Sequence, residues 1–364
     1  MIIVKLWGGL CNQMFQYAFG YALSKEKGDK LFFDVDFFLN QPKYVTRRHI
    51  IDVSDFPNIK LEIINRPIWV KPFENKYISH VIRYNTGVNL PLINKNFLFM
   101  EKLHRYYSII PYFIDSTNFY DGYWQTSKYF EPFREELLEI FSPSDIILKK
   151  VFDWRKSIDS SNTVAVHIRR GDYLNNINRN SLKGGNVIGD VDYYLSAIKI
   201  IKEKVKNPLF CFFSDDITWC KDTFSNKLDN SLFVENTGSD AALVDLFSIS
   251  FCEHGIMSPS TFSWWGNWLR KDKNGSIVVA PKGVFPRKIL VDYIIISNLT
   301  IIMFLRILNK LRRESYKLFR PILWGRSLQI NGIPTIGNIK RLELGYDVSL
   351  NSDCYIQCVG GGKN

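Results

Sequence analysis

The sequence predicts an α/β protein with two Rossmann-like halves that face a cleft, followed by a C-terminal amphipathic helix and a short β-helix-like tail. Aliphatic runs alternate with segments whose apolar residues recur every three or four positions, which is the pattern of parallel strands joined by helices. The chain has 364 residues, 46% of them hydrophobic, and at about 150 residues per domain this length favours two domains. We place them at residues 1–160 and 161–295.

The first forty residues predict a βαβ unit. An aliphatic strand at 2–6 is followed by Gly8 and Gly9, which allow a tight turn, and then by helical spacing over residues 12–24. A second strand is predicted at 31–35. The connection between these two strands is expected to be a right-handed crossover, as in parallel sheets generally.

The same signals assign most elements beyond residue 120. Residues 41–120 are rich in aromatic side chains and show no clear period, so the sequence assigns no elements there. A helix is predicted at 127–141 and a polar linker at 157–162. Strands and helices then alternate, with strands at 163–168, 209–213, 232–234, 255–258 and 276–280 and helices at 192–205, 218–224, 240–252 and 262–269.

The C-terminal part differs in character from the rest. Residues 296–325 are predicted to form a basic amphipathic linker helix, and residues 326–364 a partial hexapeptide-repeat-like segment. The tail's Ile336-Gly337 step and its 344–349 run resemble the start of a left-handed β-helix acyltransferase, but the tail gives under two coils. The chain is therefore either a piece of a larger two-enzyme protein, or its tail is a remnant of such an acyltransferase.

The net charge of +11 predicts an anionic partner, which could be nucleic acid, a membrane surface or a phosphate-bearing small molecule. Residues 301–320 contain six Lys or Arg and one Glu, so almost half of this excess lies on the amphipathic segment. That helix is expected to lie on anionic lipid or, alternatively, to pack on the core with its basic stripe in solvent. Because the charge is concentrated away from the aromatic-rich middle, the pattern argues against nucleic-acid binding.

Cysteine usage and the chain start predict a cytoplasmic location, with the protein peripheral at most on the inner face of the membrane. The six cysteines have no paired zinc spacing and several lie in strand-like runs, as reduced buried thiols do. The first residues lack the pattern of a signal peptide, and the apolar run at 294–305 is too short to span a bilayer.

The strongest candidate site follows the strand at 163–168. His167, Arg169, Arg170 and Asp172 come where this strand ends, at the edge where parallel sheets bind ligands. A guanidinium there can bind a phosphate through two hydrogen bonds. The alternative is a charge cluster in a solvated turn.

Three other turns follow predicted strands. A hydroxyl cluster with Ser260, Thr261, Phe262 and Ser263 precedes a helix, where it could hold an anion or simply cap the helix. The turn after the first strand contains Gly8 and Gly9, which let the backbone approach a ligand closely. Asn12 and Gln13 follow and offer neutral side-chain hydrogen bonds. Asp215 and Asp216 follow the strand at 209–213, where Asp215 or Ser214 is expected to cap the next helix rather than to hold a metal.

Taken together, these stretches resemble the inverting α-1,2-fucosyltransferases of glycosyltransferase family 11. The resemblance covers roughly residues 1–290 and rests on four motifs in order, namely Gly8-Gly9-Leu10-Cys11-Asn12-Gln13-Met14-Phe15-Gln16, Gly122 to Phe130, His167-Ile168-Arg169-Arg170-Gly171-Asp172-Tyr173 and Ser260 to Trp265. It implies a GT-B fold, GDP-β-L-fucose as donor, a sugar hydroxyl (often on galactose) as acceptor, and no required metal or other cofactor. The acceptor glycan could be lipid-linked, and surface polysaccharide or O-antigen synthesis is the implied setting.

The resemblance also implies roles for individual residues. Arg169 would bind the donor pyrophosphate and neutralise the departing GDP, with His167 and Arg170 in the same pocket. Asp245 would read the guanine base, and the 260–263 turn would hold the phosphates. Residues 161–295 would thus form the donor domain and 1–160 the acceptor-side domain. Alternatives are a nucleotide-sugar-binding protein without catalysis and a fragment of a bifunctional fucosyltransferase/acyltransferase.

The catalytic base is left open by the sequence. Asp172 is the best-placed acid to take a proton from the acceptor hydroxyl, but the alternative, that it orients Arg169 or Arg170 by a charged hydrogen bond, is slightly favoured. Substitution of Asp172 by Asn distinguishes the two roles, because only loss of a positioning partner should weaken donor binding. Should Asp172 have neither role, Asp34 and Asp36 after the second strand are the next acids to test.

Overall fold

The computed structural model describes residues 1–40, 51–74, 88–102, 105–158, 162–171, 190–271, 275–281 and 294–296. All of them belong to one compact unit, Met1–Ile296. The amphipathic helix and the β-helix-like tail predicted from the sequence lie outside the described residues, apart from Ile296. Within the described part of the chain, none of the helices combines the length and apolar character needed to cross a membrane.

The first sheet is built from the N-terminal part of the chain. Its strands are β1 (Ile2–Lys5), β2 (Leu31–Asp34), β3 (Ile63–Ile64), β4 (Val88–Ile93), β5 (Asn96–Met100) and β6 (Thr117–Asp121). Their spatial order is β3-β2-β1-β6-β5-β4, and only the β4–β5 pair is antiparallel. Asn94 and Lys95 form the tight β4–β5 turn with φ of 53° and 62°, the conformation that a two-residue hairpin requires.

The helices of the N-terminal part are α1 (Leu10–Lys27), α2 (Asp36–Leu39), α3 (Arg134–Ile140) and α4 (Asp145–Lys156). Helix α1 ends at Gly28, which adopts the left-handed conformation (φ 62°) and donates its N–H to the carbonyl of Ser24. Glycine makes this ending without a steric penalty because it has no Cβ. Short 3₁₀ turns lie at Asp52–Asp55, Ile68–Glu74, Ser127–Tyr129 and Glu131–Phe133.

The second sheet is entirely parallel. Its strands are β7 (Thr163–Ile168), β8 (Leu209–Ser214), β9 (Ser231–Phe233), β10 (His254–Ile256), β11 (Val278–Pro281) and β12 (Ile294–Ile296), in the order β12-β11-β10-β7-β8-β9. The associated helices are α5 (Val191–Lys204), α6 (Ile217–Phe224), α7 (Ala241–Ser250) and α8 (Thr261–Trp268). This strand order is that of a Rossmann sheet, and every residue of β7 is buried because helices cover both faces.

Each sheet has one point where the order of the strands reverses. In the first sheet it lies between β1 and β6, and in the second between β7 and β10. At such a point the loops that follow the two central strands run to opposite faces of the sheet. A crevice forms between these loops at the carboxyl ends of the strands, which is where such sheets bind ligands. The fold therefore provides two candidate crevices, and all four motifs identified in the sequence end at one or the other.

One hydrophobic core joins the helices of the two halves. Phe15 of α1 lies 4.6 Å from the Trp264 ring and 4.9 Å from the Trp265 ring of α8, measured between centroids. The Trp265 indole also donates to the carbonyl of Cys11 (3.0 Å). The first turn of α1 is therefore attached directly to α8, so the start of the N-terminal helix and the serine turn of the second sheet are held in a fixed relation.

The elements assigned from the sequence agree with the structure to within two residues at each end, with two exceptions. Helix α1 starts at Leu10 and continues to Lys27, beyond the predicted 12–24. The helix predicted at 127–141 is wrong in its first half, where 3₁₀ turns contain Pro132, which has no N–H for a helical bond, and α-helix begins only at Arg134. The cysteines in the described residues, Cys11, Cys211, Cys220 and Cys252, are free and buried, which confirms the thiol prediction for these four.

Candidate functional site

The crevice of the second sheet is lined by a neutral histidine. His167, near the end of β7, is only 6% exposed, and its Nδ1 lies 2.9 Å from the hydroxyl oxygen of Ser258, which follows β10. Burial, with a smaller contribution from the Arg169 charge, lowers the pKa of His167 to about 3. The imidazole is therefore uncharged at neutral pH and can serve the site as a hydrogen-bonding group, not as a cation.

Two arginines directly after β7 supply the positive charge. Arg169 pairs with Asp215 (3.0 Å) and Arg170 with Asp216 (3.0 Å), both acids following β8, the neighbour of β7. The Arg170 guanidinium also lies 3.8 Å from the centroid of the Trp219 ring. The side chains of the two arginines are 26% and 16% exposed. They are thus held in fixed orientations at the crevice while keeping access to solvent.

The arginine pairs correct the expected role of the acids after β8. Asp215 accepts from the backbone N–H of Arg170 (2.8 Å) as well as pairing with Arg169, so it is not the cap of α6. Asp216 caps this helix by accepting from the N–H of Trp219 (3.2 Å). The expectation that Asp215 or Ser214 is the cap was wrong because the charge on Arg169 attracts the first acid. The two acids were identified from the sequence, but their ion pairs with the arginines were not.

The serine turn leads into α8 at the other side of the same crevice. Ser260 caps the helix by accepting from the N–H of Phe262 (3.2 Å). The buried Ser263 hydroxyl accepts from the N–H of Ser258 (3.1 Å), and the Phe262 ring lies 5.2 Å from that of His167. Thr261 is partly exposed. The turn therefore holds both its own backbone and the histidine, and it directs the positive end of the α8 dipole towards the crevice.

The glycine turn after β1 lies at the reversal point of the first sheet. Gly8 has a φ of 80°, and a Cβ there would lie 2.8 Å from the Asn12 Nδ2, so a side chain would strain and crowd the turn. Asn12 accepts from the side chain of Gln125 (3.1 Å). Gly9 precedes α1 as its N-cap residue. The Trp7 and Tyr123 rings, which follow β1 and β6, lie 4.1 Å apart at the first sheet's reversal point.

Gln13 has a different environment from its neighbour Asn12. It is fully buried, and its amide donates to the carbonyl of Gly8 (2.9 Å) and to the carboxylate of Asp52 (3.4 Å). Its side-chain oxygen accepts from the N–H of Val53 (3.1 Å). The structure therefore places Gln13 between the glycine turn and the 3₁₀ turn at Asp52–Asp55, where it orders both.

Charges from both halves act at the buried Cys11 thiol. Its pKa is raised chiefly by burial and further by the negative charge of Asp52, whereas the positive charge of Arg169 lowers it. Asp52 also contacts the first turn of α1 directly, because its carboxylate accepts from the Gln13 amide.

Asp245 lies on α7 and is partly buried. Its carboxylate accepts from the Asn236 side chain (2.6 Å), and burial raises its pKa to about 6. Asn236 was not identified from the sequence, where nothing distinguishes it from other loop asparagines. Asp172 lies outside the described residues, so its roles stay predictions.

The alternative acids after β2 are both engaged by one arginine. Asp34 is completely buried and pairs with Arg66 (2.6 Å), and Asp36 pairs with the same guanidinium (2.9 Å). Burial raises the pKa of Asp34, although Arg66 opposes this. A carboxylate with no solvent exposure is poorly placed to meet a substrate hydroxyl, so the structure gives Asp34 a role in holding β2 to Arg66 of the following segment.

The site combines fixed guanidinium groups, a neutral histidine and a helix N-terminus at the reversal point of a Rossmann sheet. These features are typical of α/β proteins that bind an anionic ligand at the carboxyl ends of their strands. The family model described as glycosyl transferase family 11 matches residues 1–289. The chain belongs to this family, which confirms the resemblance found in the sequence.

Several curated proteins are similar to this chain. An alpha-1,2-colitosyltransferase of Escherichia coli is 33% identical over 79% of this chain and 93% of its own length. The O-antigen biosynthesis glycosyltransferase WbnK of the same species is 31% identical over 77% and 93%. Among solved structures, NodZ alpha-1,6-fucosyltransferase soaked with GDP-fucose matches with 14% identity and a TM-score of 0.43, covering 74% of this chain and 91% of that one.

Proposed function

We propose that this protein is an inverting glycosyltransferase that moves L-fucose from GDP-β-L-fucose to a sugar hydroxyl, the 2-OH of a galactose, in O-antigen or other surface polysaccharide synthesis. The observation that carries the proposal is the crevice between β7 and β10, where Arg169, His167 and the α8 N-terminus converge in a member of family 11. The two-sheet architecture fits a GT-B fold, with residues 161–295 as the donor side and 1–160 as the acceptor side.

The site's chemistry suits departure of a nucleoside diphosphate. Breaking the bond between the fucose anomeric carbon and GDP builds negative charge on a phosphate oxygen. Arg169, held by Asp215, and the positive end of the α8 dipole would stabilise that charge without a metal ion. Donor binding is therefore expected to survive EDTA.

GDP-colitose is a second candidate donor, favoured by the 33% identity to the colitosyltransferase. Colitose is L-fucose without its 3-hydroxyl group. A site that hydrogen-bonds this hydroxyl rejects the deoxy sugar strongly, whereas a site that only encloses the ring discriminates weakly. Incubating the purified chain with each donor and a panel of β-galactosides, followed by linkage analysis of the product, tests both the donor and the α-1,2 linkage. Lack of transfer from either donor would contradict the proposal.

Asp245 provides a test of guanine recognition. Asp245→Asn is expected to weaken GDP binding by about 10- to 100-fold, because a carboxylate that accepts two guanine N–H groups is lost. The same change should stabilise the ligand-free protein at pH 7.5. The pKa of Asp245 is raised to about 6, so its burial as an anion costs stability above that pH and the cost disappears as the pH falls.

Titration calorimetry with GDP and thermal unfolding without it measure the two effects. Wild-type affinity for GDP should also fall as the pH drops below about 6, and the Asn variant should lack this dependence. Asp240→Asn is the matched control, because Asp240 directly precedes the same helix and its carboxylate pairs with Lys150 at the surface. Unchanged GDP affinity in Asp245→Asn would remove Asp245 from the donor site.

We expect a glycan acceptor that can be lipid-linked and a protein at the cytoplasmic face of the membrane, with residues 301–320 on anionic lipid. Flotation with neutral and anionic vesicles is the corresponding measurement.

A further inference from the structure

We propose that the loop at residues 105–115 is a membrane-binding surface that enters the headgroup region of an anionic lipid bilayer. The inference goes beyond the transfer reaction, and this surface is separate from residues 301–320. It is based on exposed apolar side chains in a loop that is hydrogen-bonded to the first sheet and has exposed cations beside it.

The first argument is the exposure of the loop's apolar residues. Ile109 and Ile114 are 81% and 78% exposed, and Phe113 is 38% exposed. Single exposed apolar residues are common on protein surfaces and need no explanation. A cluster of them in one short loop is instead typical of a surface that contacts a membrane or another apolar partner.

The second argument is that the backbone of the loop is held in place. The Asn118 side chain accepts from the N–H of Phe113 (3.0 Å) and donates to the carbonyl of the same residue (2.9 Å). The Tyr120 hydroxyl donates to the carbonyl of Pro111 (2.7 Å). Asn118 and Tyr120 are fully buried residues of β6. The isoleucines are therefore exposed on an ordered backbone, so their insertion into lipid requires little further ordering of the chain.

The third argument is the combination of tyrosines and cations in and beside the loop. The loop's three tyrosines are partly buried, and each has an exposed cation near its ring centroid, namely Lys128 beside Tyr106 (5.6 Å), Arg105 beside Tyr107 (5.4 Å) and Lys27 beside Tyr112 (5.9 Å). Tyrosine rings are favoured at the level of the lipid headgroups because they have an apolar body and a polar end. Lysine and arginine at this level contact lipid phosphates while their stems cover apolar surface.

A cavity next to the loop shows that these groups lie on one surface. It has a volume of about 280 Å³, and Ile109, Tyr106, Lys27 and Lys128 are among its lining residues. Ile109 therefore lies close to two exposed lysines, although these come from α1 and from the turn after β6. A lipid phosphate above the inserted isoleucine would be near both ammonium groups.

The charge around the loop complements an anionic bilayer. The charged residues that line the cavity or belong to the loop are three cations and two acids, Lys27, Arg105, Lys128, Glu26 and Asp115. Two further exposed lysines adjoin it, because the Lys95 carbonyl accepts from Thr117 (2.8 Å) and Lys30 follows Asp29, which accepts from the Tyr112 hydroxyl (2.9 Å). Asp29 itself pairs with the amino group of Met1 (2.8 Å). The resulting positive excess favours an anionic over a neutral membrane.

A fluorescent label at position 109 tests the contact in the full chain. Ile109→Cys carries a nitrobenzoxadiazole label and is mixed with vesicles of phosphatidylcholine alone or of phosphatidylcholine and phosphatidylglycerol in equal parts. Cys354 and Cys358 are replaced by Ser, because the cysteines that the structure describes are buried. We expect a blue shift and stronger emission with the anionic vesicles only. Ile146→Cys is the matched control and should show no shift, since Ile146 on α4 is 71% exposed.

A charge-introducing variant tests the contribution of the loop to binding. Replacing both Ile109 and Ile114 by Glu is expected to lower the affinity for the anionic vesicles by about tenfold or more, because the apolar contact is lost and charge repulsion is added. Ile146→Glu is the control and should bind as the wild type does. The Kd for GDP and transfer to a soluble β-galactoside should be unchanged in both variants.

Several results would overturn the assignment. An unchanged spectrum at position 109 with anionic vesicles would exclude the contact, and so would wild-type vesicle affinity in the double Glu variant. Equal shifts with both kinds of vesicle would contradict the preference for anionic lipid. A shift that grows with protein concentration in the absence of vesicles would show that the loop contacts a second copy instead. The transfer assay uses a soluble acceptor without vesicles, so its failure would refute the proposed function independently of these outcomes.

Discussion

Arg169→Ala is expected to lower kcat by about 10² to 10³, the effect of removing one preorganised charge partner from a developing anion. The Arg169 side chain is held by Asp215 at 3.0 Å, directly after the buried strand β7, so it needs little reorganisation when GDP departs. Steady-state kinetics with GDP-fucose measure the effect. Arg169→Lys should recover only part of the rate, because an ammonium cannot bind a phosphate through two parallel hydrogen bonds.

Arg155→Ala is the matched control for this substitution. Arg155 forms an ion pair of the same length with Glu253 (3.0 Å), and its side chain is 23% exposed, close to the 26% of Arg169. Glu253 also binds the N–H of Thr163, which is the first residue of β7, so this pair lies at the opposite end of the strand from the site. A fall of less than tenfold in Arg169→Ala would show that the arginine is structural.

Trp265→Ala is expected to destabilise the protein by about 3 to 5 kcal/mol, the range for removing a large aromatic side chain from a packed core. Trp265 is fully buried, stacks on Phe130 at 5.7 Å and contacts Phe15 at 4.9 Å between ring centroids. Its indole also donates to Cys11 of α1. The substitution would remove the packing between α1 and α8 together with this hydrogen bond, and urea unfolding measures the loss.

Trp265→Phe separates the two contributions. It keeps most of the ring contacts and loses the hydrogen bond to Cys11, so it should cost about 0.5 to 1.5 kcal/mol, the net contribution of one such bond. If the Ala and Phe variants have the same stability, packing at this position contributes little and the connection between α1 and α8 depends on the hydrogen bond alone.

Most of the second sheet and the order of the motifs could be predicted from the sequence. The strands of this sheet are short aliphatic runs, and the segments between them have apolar residues at helical spacing. This pattern is visible in the sequence because fully buried parallel strands must be apolar. The motif at 167–172 was also identified from the sequence, because charged residues directly after a buried strand lie at the edge where parallel sheets bind ligands. The strands β3 to β6 were not predicted, because the β3 pattern covers two residues and the aromatic side chains of 88–121 obscure any period.

Which motifs contact one another depends on the tertiary structure. Strand order places β7 beside β10, so His167 reaches Ser258, and β7 beside β8, so Arg169 reaches Asp215. Trp265 binds Cys11 across 254 residues of sequence, and Gln13 reaches Asp52 only through the fold of the intervening chain. Local propensities and periodicity report on neighbours within a few residues, whereas these contacts depend on how sheets and helices stack. The residue types that the chemistry requires can therefore be identified from the local sequence. Which of these residues pair with each other depends on how the sheets and helices pack.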